Sequence, residues 1–133
     1  MTDISVTKTE FQVENRSWLL GPHGTEPGTT PSVTLDVSAF TEADHYPNGF
    51  LPSGLVVGLI TASGLYGPYD DAAVDGREDA AGLLFSSVKV PDSGADPGGA
   101  ILVHGFVDPD RLPDNNGLDA AARADLSLIH FAS

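Results

Sequence analysis

The segment TASGLYGPYDDAAVDGREDAAG, residues 61–82, carries a turn signal every few residues, at Ser63-Gly64, Gly67-Pro68 and Asp75-Gly76. Gly readily supplies the positive φ of tight turns, and Pro restricts φ while removing a backbone donor, so no long helix can run through it. Short hairpins or linked loops are what this stretch can form. A second block of the same kind, DHYPNGFLPSG, joins Pro47, Asn48-Gly49 and Pro52 into a turn and loop.

The apolar pattern between these breaks has the period of strands. In SVTLDVSAF, Val33, Leu35 and Val37 alternate with Thr34, Asp36 and Ser38, which predicts a half-buried strand. The run LVVGLI, Leu55 to Ile60, predicts a buried strand with Gly58 at a bulge or at a close approach of another backbone. GLLFSSVKV places Leu83 and Phe85 at odd positions but Val88 and Val90 at even ones, a phase change that a bulge near Ser86-Ser87 would produce. AILVHGFV reads as one strand covered on both faces, with Ile101, Val103 and Val107 on one and Leu102, His104 and Phe106 on the other. Only Leu118 to Leu126 has helical spacing, with Asn115 or Asn116 as its cap, Asp119 matching the helix dipole and Asp125 opposing it. SLIHF returns to a strand. The expected fold is therefore mainly β, with five or six strands and one short helix.

Residues 1–31 differ from the rest. A polar start is followed by one apolar patch, Trp18, Leu19 and Leu20, and then by GPHGTEPGTTP with three Pro and three Gly. Too few apolar residues are present to offset the entropy of ordering the segment, so it reads as a flexible N-terminal arm ahead of a compact domain at 32–133. An ordinary chain terminus has the same composition.

Composition narrows the function. The chain has 133 residues, enough for one domain, and 41% of them are hydrophobic against 19% charged, which permits a folded core. A formal net charge of −13 opposes approach to nucleic acid phosphates and to anionic lipid surfaces. No apolar run reaches the roughly 20 residues of a bilayer span. No cysteine is present, and the start MTDISVTKTE lacks the basic and apolar regions of a secretory signal, so assembly inside the producing cell is expected.

Candidate chemistry is sparse. His23, His45, His104 and His130 include no pair at metal-binding sequence spacing, and His104 and His130 fall inside predicted strands. Asp108 to Asp119, DPDRLPDNNGLD, offers four carboxylates and two Asn amides to an oxygen-loving cation, but no frame of it fits a calcium loop and Pro109 and Pro113 stiffen it. A solvated turn leading into the helix is the simpler reading. The pairs Asp70-Asp71 and Glu78-Asp79 read as acidic surface, and no nucleophile elbow, phosphate loop or dinucleotide fingerprint occurs. No enzyme, cofactor or metal is expected.

The middle and end of the chain, SGLVVGLITASGLYGPYDDAAVDGREDAAGLLFSSVKV, AILVHGFVDPDRLP and LDAAARADLSLIHF, resemble the lambda-type head decoration protein D family over roughly residues 50–131. The order and spacing of an apolar strand, a turn-rich stretch, a strand pair, an acidic turn and a final helix and strand carry the resemblance. It implies a β-clip-type domain forming homotrimers on the outer surface of the virion capsid, at threefold positions over the major capsid protein. It also implies a role in stabilising the expanded shell against packaged DNA, with an arm that adds a strand to the capsid protein. Residues 1–31 would take that part, with the contact inside Val13 to Leu20 and carried by Val13, Trp18, Leu19 and Leu20. SVTLDVSAFTEADHYPNGF has no residue-by-residue counterpart in the lambda member. Two other readings compete. One is a non-viral β-rich module binding a sugar or peptide, lined by Trp18, Tyr46, Tyr66 and Tyr69; the other is a nucleotide hydrolase, which would need an acidic metal site.

Overall fold

Val56 and Val57 are neighbours in sequence, both are enclosed, and they point into different hydrophobic cores. The same division separates Leu83 from Leu84 and Leu102 from Ile101. Successive side chains on a strand face opposite ways, so a continuous apolar run produces a sheet buried on both faces. The computed structural model describes residues 16–25 and 30–132. Within them the chain runs through β1 (Ser32–Thr34), a 3-10 turn (Val37–Ala39), α1 (Glu42–His45), β2 (Phe50–Leu51), β3 (Val56–Ile60), β4 (Leu65–Pro68) and β5 (Ala80–Leu84). It continues through β6 (Val88–Lys89), β7 (Gly98–Leu102), β8 (Gly105–Val107), a second 3-10 turn (Pro109–Arg111), α2 (Ala120–Asp125) and β9 (Ile129–Phe131). The mainly β class is as expected, but the described residues form nine strands and two short α-helices.

The main sheet has the order β1-β7-β5-β3-β4, with every neighbouring pair antiparallel. Its two edges approach each other: Leu35 makes a parallel bridge with Tyr66, and the Asp36 N–H donates to the Tyr66 carbonyl at 2.8 Å. The sheet thus curls around the first core, which contains Val33, Leu35, Val57, Leu84 and Ile101 and is closed by β2 and β6 with Leu51 and Val88. The second core lies on the other face, under α2, β8 and β9. Here β9 runs parallel to β8, in the register Gly105↔Ile129 to Val107↔Phe131.

Several boundaries differ from the sequence reading, for local reasons. The alternation Val33, Leu35, Val37 is buried as expected, but the strand ends at Thr34 because Asp36 accepts from the Ser38 N–H at 3.0 Å and caps a 3-10 turn. Gly58 lies where the β3–β5 register shifts, and an added Cβ would sit 2.8 Å from the Arg77 Cα, so both expectations for it hold. The phase change at Ser86-Ser87 is a strand break, after which Val88 and Lys89 pair with Leu51 and Phe50. AILVHGFV is two strands separated at Val103-His104, and Phe106 is exposed rather than covered. The cap of α2 is Asp119, which accepts from the Ala122 N–H at 2.8 Å; Asn116 instead accepts from the Leu118 N–H at 2.7 Å and shapes the preceding turn. Asp125 opposes the helix dipole yet has a use, since its carboxylate accepts the Ala80 N–H at 2.9 Å and ties α2 to β5.

Candidate functional site

Residues 16–20 lie along the free side of β8. The Asp108 N–H donates to the Trp18 carbonyl at 2.8 Å, the Leu20 N–H donates to the Phe106 carbonyl at 3.0 Å, and Leu19 forms an antiparallel bridge with Val107. The Trp18 side chain is fully enclosed in the second core, and its indole N–H donates to the Ser53 hydroxyl at 3.2 Å. The Arg16 guanidinium lies 4.4 Å from the centre of the Phe85 ring. Residues 16–20 therefore pack on the body, although no periodic pattern in the sequence gives Trp18, Leu19 and Leu20 a partner within the chain. A lone indole need not belong to a periodic element to find a core. It carries its own large apolar area and one donor, both satisfied here by residues distant in sequence. Of the four expected contact residues, Trp18 is enclosed, Leu19 packs partly on the second core, Leu20 is exposed and Val13 lies outside the described residues.

The register places Leu20, Phe106 and His130 side by side across the three chain segments. Leu20 is 41% exposed and Phe106 44%. Next to them Leu128, 67% exposed, accepts the Gly105 N–H through its carbonyl at 3.2 Å. The Phe106 ring is met edgewise by His23 and by His130, each with ring centres 5.7 Å apart. His104 joins from the β7–β8 turn, its ring 4.4 Å from that of His23. Among the described residues, three of the four exposed large apolar side chains occur here, and the fourth, Val74, lies in the acidic loop before β5. Single exposed apolar residues are ordinary, whereas a group of them rimmed by polar side chains is the kind of surface through which proteins meet partners, ligands or membranes. Strand pairing that joins residues over 80 positions apart creates this group, which the sequence pattern could not reveal.

The acidic segments are occupied with local structure. Asp108 accepts from the Asp110 N–H at 3.0 Å, capping the second 3-10 turn, and pairs with Arg111 at 3.2 Å. Asp119 caps α2 and accepts from the Tyr69 hydroxyl at 3.0 Å. Burial and then this carboxylate push the Tyr69 phenol well above its ordinary range. In the loop before β5, Asp75 accepts from the Arg77 N–H and guanidinium, both of which hold it below its usual value against an opposing effect of burial. Glu78 accepts the Gly76 N–H at 2.8 Å. Among the described residues no three His, Cys, Asp or Glu side chains are grouped to hold a metal ion. The aromatics suggested for a sugar or peptide site do not converge: Trp18 and Tyr69 pack in the second core, and Tyr46 and Tyr66 against the first, on the other face of the sheet.

A family model, bacteriophage lambda head decoration protein D, matches residues 30–131. The chain belongs to this family. The resemblance read from the sequence is borne out, and the matched range takes in the segment SVTLDVSAFTEADHYPNGF, for which the sequence comparison had no counterpart. The head decoration family is a family of structural capsid proteins, which places the chain with the virion capsid. Of the exposed group, Phe106, Leu128 and His130 lie within the matched range, and Leu20 and His23 precede it. No curated protein and no solved structure matches the chain.

Proposed function

We propose that this head decoration protein binds the outside of the expanded capsid as a homotrimer at threefold positions, on the major capsid protein, and stabilises the shell against the pressure of packaged DNA. The domain would be of the β-clip type. Membership of the decoration family over residues 30–131 is the observation that carries this reading. The segment preceding Arg16, including Val13, supplies the arm, and Leu20 supplies the exposed apolar contact at its root. Trp18 and Leu19 act as the anchor, because an enclosed indole cannot meet a partner but can transmit load from an arm into the core.

Trimerisation gives a weak arm enough affinity. A strand added to a partner gains main-chain hydrogen bonds but loses chain entropy. Three arms on one assembly bind together, which can raise affinity by about 10² to 10⁴. A charge of −13 per chain, tripled, keeps the outward surface soluble and repels free DNA.

The test is to add the protein to expanded, undecorated heads of its phage and to examine them by electron microscopy, with heat release of DNA as the functional readout. Extra density at threefold positions and a higher rupture temperature are expected. Density elsewhere, or heads that rupture as before, would overturn the reading. Deleting residues 2–15 should abolish or strongly weaken decoration, and undiminished binding would remove the arm from the mechanism.

A further inference from the structure

Two turns distant in sequence are pressed together beside Phe106. Pro22 to Thr25 forms one, with the Thr25 N–H and hydroxyl both donating to the Pro22 carbonyl at 3.1 and 2.6 Å. Val103 to Gly105 forms the other, between β7 and β8. A Cβ at Gly24 would collide with the His104 carbonyl, and one at Gly105 would lie 2.8 Å from the His23 carbonyl. Both glycines also have positive φ, at 87° and 148°. The close backbone contact therefore depends on glycine at both positions, and it brings the neighbouring imidazoles together with their planes tilted by 40°. Their Nε2 atoms are 3.3 Å apart.

We propose that His23 and His104 form a two-histidine site for a borderline divalent cation of the zinc, nickel or copper class. Imidazole nitrogens bind zinc at about 2.0–2.1 Å, and tetrahedral geometry then separates two of them by about 3.3–3.4 Å, so the pair is already spaced for chelation. Two imidazole Nε2 atoms at this separation can hold one metal ion between them. Among the described residues the buried His104 Nδ1 has no hydrogen-bond partner, so none of them imposes a tautomer on the ring. Since His23 is exposed, water can complete the coordination. The edgewise Phe106 contact restrains the His23 ring, and the net charge of −13 favours cation approach. His130 contacts the same phenyl ring and provides a control on the same surface. The bound ion would clasp the 16–25 segment to the β7–β8 turn, joining residues 81 positions apart.

The site can be tested on the full chain free of any polyhistidine tag. Calorimetric titration with ZnCl₂ or NiCl₂ should give saturable binding of one ion per chain, accompanied by a rise in melting temperature that MgCl₂ does not produce. Hydrogen exchange of the amides of residues 23–25 should slow when Zn²⁺ is added. His23→Ala, an exposed position, should abolish the response, as should His104→Ala, whereas His130→Ala should retain it. Absence of saturable binding in the natural chain, binding that survives His23→Ala, or one ion shared between two or three chains would each overturn the proposal.

Discussion

Trp18 shows how much one side chain can decide. Its ring is enclosed among Val56, Leu83, Leu102 and Val107, and its one donor is satisfied by Ser53. Trp18→Ala removes that packing and leaves a cavity, so urea denaturation should register a loss of about 3–5 kcal/mol. A loss below about 0.5 kcal/mol, the level of an ordinary surface substitution, would show that the segment is not anchored as described. His45 provides a second residue-level prediction. Its Nδ1 accepts the Thr41 N–H at 2.9 Å, which only the unprotonated nitrogen can do, and burial lowers its pKa from 6.5 against an opposing pull from Asp44. The folded value lies below the unfolded one, so the contribution is complete above 6.5 and is lost as pH falls towards the folded value. Chemical denaturation across that window should show stability falling with acidification, and His45→Gln should flatten this part of the profile.

Among the elements, α2 depends on the rest of the fold for its existence. It has six residues and one fully buried side chain, Ala122, too short a helix to persist without tertiary support. Asp119 and Asp125 supply that support at its two ends, through Tyr69 and the Ala80 N–H. Asp119→Ala should cost about 1 kcal/mol for the cap, plus a further loss from the Tyr69 hydroxyl left without its acceptor. Comparison with Tyr69→Phe and the double variant isolates the second contribution, and strict additivity would mean that the pair is not coupled. Turn composition made the breaks between strands legible in the sequence, whereas β2, inside a segment read as a loop, and the start of α2 were not. Asn115, Asn116 and Asp119 are all competent caps. The choice falls on Asp119 because the Asn116 carbonyl accepts the Val56 N–H at 2.9 Å, pinning the loop to β3, and Gly117 then turns at φ 87°.

For the whole molecule, the N-terminal boundary is the point of greatest consequence. Deleting residues 2–15 removes none of the contacts described for Trp18, so the melting temperature should stay close to that of the full chain while decoration is lost. Deleting residues 2–20 removes the indole as well and should lower the melting temperature markedly. Equal melting temperatures for the two truncations would contradict the anchored segment. Light scattering of the full chain should give the mass of a trimer, and a stable monomer would leave three-armed binding without a basis.

The mainly β class, the role of Gly58, the burial of Val33, Leu35 and Val37, and the family itself could all be read from the chain, because alternation and turn residues act over a few positions. The enclosure of Trp18, the division of AILVHGFV and the exposed group around Phe106 could not. Each depends on which segments become neighbours across a sheet, and on volumes and hydrogen-bonding partners supplied from tens of residues away. Local pattern records which way a side chain points along its own strand, but not what arrives to cover it.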